Sequence, residues 1–162
     1  MNAIAVFNPR LSPISGFVKF HQCPVHKTSV ISFSLQGLPK NSVHGVHIHK
    51  YGITSLSDPC GSTCDHYNPH NKLHGSMLLY GNDRHAGDLC NNVKSDDQGN
   101  VEYVYEDPLV KVKDILGRSV VLHMDKDDLG AFRDVNEGSA TTGNAGARIA
   151  CAVIGIDGKS CA

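Results

Sequence analysis

No run of lysines or arginines forms a basic stripe in this chain, and its formal net charge is −1. The electrostatic footprint needed to grip a phosphate backbone is missing, which argues against nucleic acid as a partner. No apolar window reaches the roughly 18 residues of a membrane-spanning helix, so no membrane partner is expected. The opening MNAIAVFNPR lacks the basic flank and long apolar run of a signal peptide, and the expectation is a cytoplasmic protein. Internal repeats, low-complexity tracts and sustained helical periodicity are absent as well. Tryptophan is absent altogether, whereas histidine occurs 10 times.

What is present suits one ordinary globular unit. A chain of 162 residues and 17.4 kDa can bury a proper core but is short for two domains, so 1–162 is read as a single domain. Apolar residues make up 40% and glycines number 16, a balance typical of a turn-rich fold. Six cysteines accompany the histidines. In an intracellular protein that mixture points to metal chemistry before a disulfide scaffold.

Apolar and polar residues alternate in Ile4-Ala5-Val6-Phe7, in Gly16 to Phe20 and in Ser29 to Leu35, the period of half-buried strands. Pro, Gly, Asn and Ser clusters separate them, as in an antiparallel all-β fold. Further strands are expected around 43–50, 86–93, 100–106, 118–124 and 147–154. About eight strands can close a barrel or form a two-sheet sandwich. Residues 51–85 and 125–146 remain as long loops, and loops of that length in a compact domain usually carry function.

The strongest local signal is His44-Gly45-Val46-His47-Ile48-His49. On a strand, a period of two sends His47 and His49 to one face, where they can share a metal or simply face solvent. The pair alone leaves both readings open. The first long loop adds His66, His70, His74 and His85, with Asp88 close behind, and His123 ends the apolar run Ser119 to Leu122. Imidazoles with one carboxylate suit tetrahedral zinc. A His-x-His pair with a distant histidine suits copper.

Five segments resemble the copper/zinc superoxide dismutases, in order along residues 14–156. They are His44 to Gly52; His66-Tyr67-Asn68-Pro69 through His74-Gly75; Arg84 to Leu89; Val121-Leu122-His123 with Asp127-Asp128-Leu129-Gly130; and Thr142 to Cys151. The resemblance implies an eight-stranded antiparallel Greek-key β-barrel, an immunoglobulin-like sandwich with two long functional loops. It implies one copper, held by His47, His49, His66 and His123, and one zinc, held by His66, His74, His85 and Asp88, with His66 bridging them. Asp127 would link His47 to His74, and His44 would be structural, bonded to backbone. Arg148 would orient the superoxide anion, its guanidinium being permanently charged. The implied activity converts superoxide to oxygen and hydrogen peroxide, with His66 and Arg148 as the catalytic side chains. A homodimer, packed through the face near Gly52, Leu116 and Val153 to Ile156, and a copper chaperone are the implied partners.

The same resemblance implies a disulfide between Cys60 and Cys151. Cys23, Cys64, Cys90 and Cys161 are extra. Cys23 and Cys161 are read as thiols without a task, whereas Cys64, close to His66, could compete for zinc or reshuffle the disulfide. Cys90 stands where the family usually has Gly. His21, His26 and His70 have no place in the ligand pattern and are expected in solvent.

The chain also departs from the family pattern. Ten residues lie between His74 and His85, two more than usual, which alters the zinc loop. In the second loop Thr141 replaces a Lys and Gly138 a Glu, leaving Lys126 and Arg133 as nearby cations. Dismutation slower than in typical members is the expectation. The main rival reading is a non-catalytic metal carrier or chaperone-binding decoy; such homologues commonly lose a copper ligand or the substrate arginine, and here all are present. A structural zinc site from Cys60, Cys64, His66 and His74 leaves His47, His49 and His123 unexplained. A phosphate loop at Thr142 to Gly146 lacks the Lys-Ser/Thr that would follow it.

Overall fold

Period-two alternation becomes strands wherever the apolar face meets a common core. The computed structural model describes residues 1–22, 25 and 27–158; Cys23, His26 and Cys161 lie outside the described residues. Strands run over Asn2–Phe7 (β1), Ser15–Gln22 (β2), Ser29–Gln36 (β3), Val43–His49 (β4), Asn92–Lys94 (β5), Val101–Asp107 (β6), Ser119–His123 (β7) and Arg148–Ile156 (β8). Three short helices, Met77–Tyr80 (α1), Val112–Ile115 (α2) and Glu137–Thr141 (α3), lie in the connections.

The strands form one antiparallel sheet in the order β5-β4-β7-β8-β1-β2-β3-β6. The connections β3–β4 and β6–β7 therefore cross between distant strands, which is the Greek-key pattern. The sheet curls into a nearly closed barrel, and full closure is what removes exposed strand edges.

Ala3, Ala5 and Phe7 of β1, Val18 and Phe20 of β2, and Ile31, Phe33 and Leu35 of β3 point inward in strict alternation. Val46 and Ile48, Val120 and Leu122, and Ala150, Ala152 and Ile154 complete the core from the other side. Each large side chain buried here is worth about 1.5–3 kcal/mol of hydrophobic stabilisation. Truncating Phe33 to Ala would cost about 3–5 kcal/mol, because the cavity collapses only in part.

β4 and β7 do not alternate between buried and exposed, because both faces of each are covered. Their inner faces meet the core, and the long loops lie over the outer one. Lys50 N–H donates to Asp65 O and Tyr67 N–H to Ile48 O, both at 2.8 Å, stitching the first loop along β4. On the other side, Gly45 N–H donates to Asp125 O at 2.9 Å.

The strand expected over 86–93 is corrected. A 3-10 turn occupies Ala86–Asp88, and extended pairing begins only at Asn92. The Asp88 carboxylate draws the chain back on itself, accepting from the N–H of His85 at 2.9 Å and of Gly75 at 3.0 Å. Leu89 and Asn91 then adopt φ of 50° and 60°, a conformation that breaks an extended run.

Candidate metal centre

β4 presents His47 and His49 on its outer face, and neither is more than 1% exposed. β7 delivers His123 beside them, and a register shift between Leu122 and His123 re-aims that ring at the end of the strand. The first long loop brings His66 next to His49, where the two residues form an isolated antiparallel bridge.

Hydrogen bonds to one nitrogen of each ring fix where the other nitrogen points. His49 Nδ1 lies 2.6 Å from Cys64 O and His123 Nδ1 lies 3.1 Å from Gly146 O, while their Nε2 atoms face each other at 3.3 Å. His47 turns Nε2 to Asp127 Oδ2 at 2.6 Å and leaves Nδ1 buried without a partner. His66 Nε2 is likewise buried and unpartnered. Four ring nitrogens, from His47, His49, His66 and His123, thus gather with ligand atoms within 4.8 Å of one another. Buried polar atoms without partners are rare in folded proteins, and a convergent set of imidazole nitrogens is what a copper ion accepts.

A second cluster shares His66. Asp88 Oδ1 has His66 Nδ1 at 3.0 Å, His74 Nδ1 at 2.9 Å and His85 Nδ1 at 3.0 Å. Three nitrogens and one carboxylate oxygen around a common point form a donor set that zinc takes in tetrahedral geometry. His66 therefore turns Nε2 to one cluster and Nδ1 to the other.

Asp127 ties the clusters together, lying 2.6 Å from His47 Nε2 through Oδ2 and 3.1 Å from His74 Nε2 through Oδ1. His44 sits behind them with Nδ1 2.9 Å from the carbonyl of His123 and Nε2 2.8 Å from Ser42 Oγ.

Burial dominates the protonation of the first cluster. It pushes His47, His49 and His66 below the usual imidazole range, and His123 down to about 4. Neutral rings with free lone pairs result. Burial also lowers His74, but its hydrogen bonds with Asp127 and Asp88 outweigh this and bring it to about 10. For Asp88 and Asp127, burial works upward, yet bonds from the surrounding histidines hold both carboxyls below their ordinary range.

Arg148 stands at the rim. Its Nη1 donates to Cys60 O at 2.8 Å, Gly61 O at 3.1 Å and Thr63 Oγ1 at 3.3 Å. Cys60 is bonded to Cys151 of β8, which fastens the first loop to the barrel beside the arginine. His21 and His70 are exposed and outside the clusters. Cys64 serves through its carbonyl, while its thiol belongs to none of the metal-competent groups among the described residues. Cys90 is half-buried, and desolvation pushes its thiol up to about 12.

Several supporting residues were given no role by the sequence. Asn92 clamps the Asp127 backbone, donating from Nδ2 to Asp127 O at 2.9 Å and accepting from its N–H at 2.8 Å. Arg84, fully buried, donates to Asp107 Oδ2 at 2.9 Å and to the carbonyls of Gly81 and His85. A buried ion pair joining two distant segments is invisible until the fold brings them together.

The family model for copper/zinc superoxide dismutase (SODC) matches residues 14–154. A curated relative from Talaromyces marneffei named "Superoxide dismutase [Cu-Zn]" is 42% identical over 148 residues, spanning 90% of this chain and 92% of its own length. One of the same name from Humicola lutea is 43% identical over 148 residues with the same coverage. A third, from Paramecium bursaria Chlorella virus 1, is 40% identical over 163 residues, covering 96% of this chain and 78% of its own. Among solved structures, one titled as the clock protein EA4 superposes with a TM-score of 0.83 at 37% identity, covering 96% of this chain and 94% of that one.

Proposed function

The chain belongs to the copper/zinc superoxide dismutase family, and from that membership we propose the roles of its individual side chains. The protein is a superoxide dismutase that uses copper and zinc, converting two superoxide anions and two protons to oxygen and hydrogen peroxide. Copper is held by His47, His49, His66 and His123, and zinc by His66, His74, His85 and Asp88. The observation that carries this reading is His66, which offers one ring nitrogen to each of two four-donor clusters.

Copper, when bound, supplies the one-electron change that superoxide needs in both directions, and zinc supplies fixed positive charge. His66 is the proton-carrying group. Its Nδ1 stays in the Asp88 cluster, whereas Nε2 has no protein acceptor, so a proton held at Nε2 is free to pass to the departing peroxide. Asp127 holds His47 and His74 by their Nε2 atoms, which fixes both rings in the tautomer that leaves Nδ1 for metal.

Arg148 receives the substrate. Its hydrogen bonds among the described residues all leave from Nη1, so Nε and Nη2 remain for an anion. The carbonyls of Cys60 and Gly61 set its direction, and the Cys60–Cys151 bond holds those carbonyls in place.

The full chain acts as one domain, as a homodimer in the cytoplasm, and receives copper from a chaperone. The dimer is supported by the exposed apolar side chains Tyr51, Val153 and Ile156 on the face that the family resemblance assigns to it. The cytoplasmic setting is supported by the free thiols Cys64 and Cys90, which are ordinary in a reducing compartment. Among the described residues no helix is long and apolar enough to cross a membrane.

The test is superoxide turnover by purified protein loaded with both metals, with elemental analysis and His123→Ala as control. Turnover with one copper and one zinc per chain, lost together with copper in the control, is the expected result. Two bound metals without turnover would instead support a metal carrier.

A further inference from the structure

The interval between His74 and His85 is two residues longer than the family resemblance predicts, and it contains one turn of helix, α1. Ser76 caps it, accepting from Leu79 N–H at 3.2 Å. The turn places Tyr80 against the second long loop. Tyr80 Oη donates to Gly130 O at 2.8 Å, and the Arg133 guanidinium lies over the Tyr80 ring at 3.4 Å from its centroid. Arg133 then reaches back across the ring, with Nη1 donating to Asp83 O and Nη2 to Asp83 Oδ2, each at 3.0 Å. Lys72 holds the other oxygen of Asp83 at 3.1 Å.

We propose that Tyr80, Asp83 and Arg133 form a clasp between the two long loops that holds the His74–Asp88 half of the centre in its binding geometry. Tyr80 and Arg133 are then positioning residues for zinc. The inference rests on the zinc reading of that cluster.

The clasp reaches the cluster through two glycines. A β-carbon on Gly75 would lie 2.7 Å from Tyr80 Cδ2 and 3.2 Å from Arg133 Nη1, so both side chains rest directly on the backbone there. Gly75 is the residue after His74, and its N–H holds Asp88 Oδ2 at 3.0 Å. Gly130, the acceptor of the Tyr80 hydroxyl, approaches the His74 carbonyl so closely that a β-carbon would stand 2.7 Å from it. A separate tie, His74 N–H to Ala140 O at 2.7 Å, joins the same loops. The second loop thus bonds the His74 N–H and packs Gly130 against the His74 carbonyl, the side that the clasp reaches.

A consequence follows for Arg133, which the sequence offers as a free cation near the substrate path. Both its terminal nitrogens are engaged by Asp83 and its side chain is only 12% exposed. It belongs to the clasp, and Lys126, which is exposed, remains the free cation of that loop.

The experiment uses copper- and zinc-loaded protein and follows zinc release to a chromophoric chelator, together with the visible spectrum of cobalt(II) placed in the zinc cluster. Arg133→Gln should release zinc about tenfold faster, in the range seen when partners of metal ligands are removed, and should perturb the cobalt spectrum. Arg133→Lys, which keeps the charge but neither the two-nitrogen grip nor the flat stacking face, should restore both only in part, and Tyr80→Phe should show a smaller effect in the same direction. Wild-type release rates and cobalt spectra in Arg133→Gln and Tyr80→Phe would overturn the clasp, and Tyr80→Phe decides alone if Arg133→Gln does not fold. A wild-type chain that takes up neither zinc nor cobalt there would overturn the zinc reading itself, and the clasp's role with it.

Discussion

His47 Nε2 lies 2.6 Å from Asp127 Oδ2, and neither side chain has any contact with solvent. The same carboxylate reaches His74 through its other oxygen. One buried anion therefore orients a ring in each four-donor cluster, and its loss should be felt by both metals. Asp127→Asn is expected to lower copper and zinc affinity by about tenfold or more, since partners of metal ligands commonly contribute that much. Competitive titration of each metal against a chelator checks this; an effect on one metal alone would show that the carboxylate does not couple the clusters.

Among the described residues, the hydrogen bonds of Arg148 go to the carbonyls of Cys60 and Gly61 and to Thr63, all through one nitrogen. Arg148→Gln should lower kcat/KM by about tenfold and weaken its dependence on ionic strength, because a charge that captures an anion acts through the on-rate. Metal content should be unchanged. Steady-state rates at two salt concentrations, with elemental analysis, decide the matter.

The Cys60–Cys151 bond closes a long stretch of chain, its ends 91 positions apart in sequence. Cys60→Ser should destabilise the fold by up to about 4–5 kcal/mol on the chain-entropy account. It should also lower kcat/KM, because the carbonyls of Cys60 and Gly61 that direct Arg148 lose their anchor. Denaturant unfolding and turnover measured on the same metal-loaded preparation test both halves.

The metal-free chain should lose stability in acid. His123 falls from the usual 6.5 to about 4 when folded, so the unfolded chain binds its proton first as pH drops. Its contribution is present above about 6.5 and is lost as pH falls through 4. His47, His49 and His66 shift in the same direction, again chiefly through burial. His74 works oppositely: raised to about 10, its contribution is full below 6.5 and is lost as pH rises through 10. Unfolding midpoints of metal-free protein should fall between pH 6.5 and 4, and His123→Ala should flatten that slope.

The residues that gather in the two four-donor clusters were legible because their chemistry is compressed into short, unusual patterns. His47 and His49 share a face by strand period alone, and His66, His74 and His85 fall within one loop. The strand placed at 86–93 was misread because its apolar and small residues, Ala86, Gly87 and Leu89, resemble an extended run. There the Asp88 carboxylate captures the N–H groups of His85 and Gly75, and such capture by a side chain leaves no period in the sequence.

Arg133 marks the boundary between the two kinds of knowledge. Its charge was plain from the sequence, and so was its place in a loop near the centre. Whether that charge faced the substrate or was consumed depended on Tyr80 and Asp83, which are some fifty positions away in the chain. By itself the sequence determined the all-β architecture and singled out the histidines and the aspartate that gather in the two clusters, because hydrophobic period and side-chain chemistry are local properties. Only the tertiary structure decided which nitrogen of each ring faces its cluster, how Asp127 and the clasp join the loops, and where Arg148 points, because hydrogen-bond geometry arises only when distant segments meet.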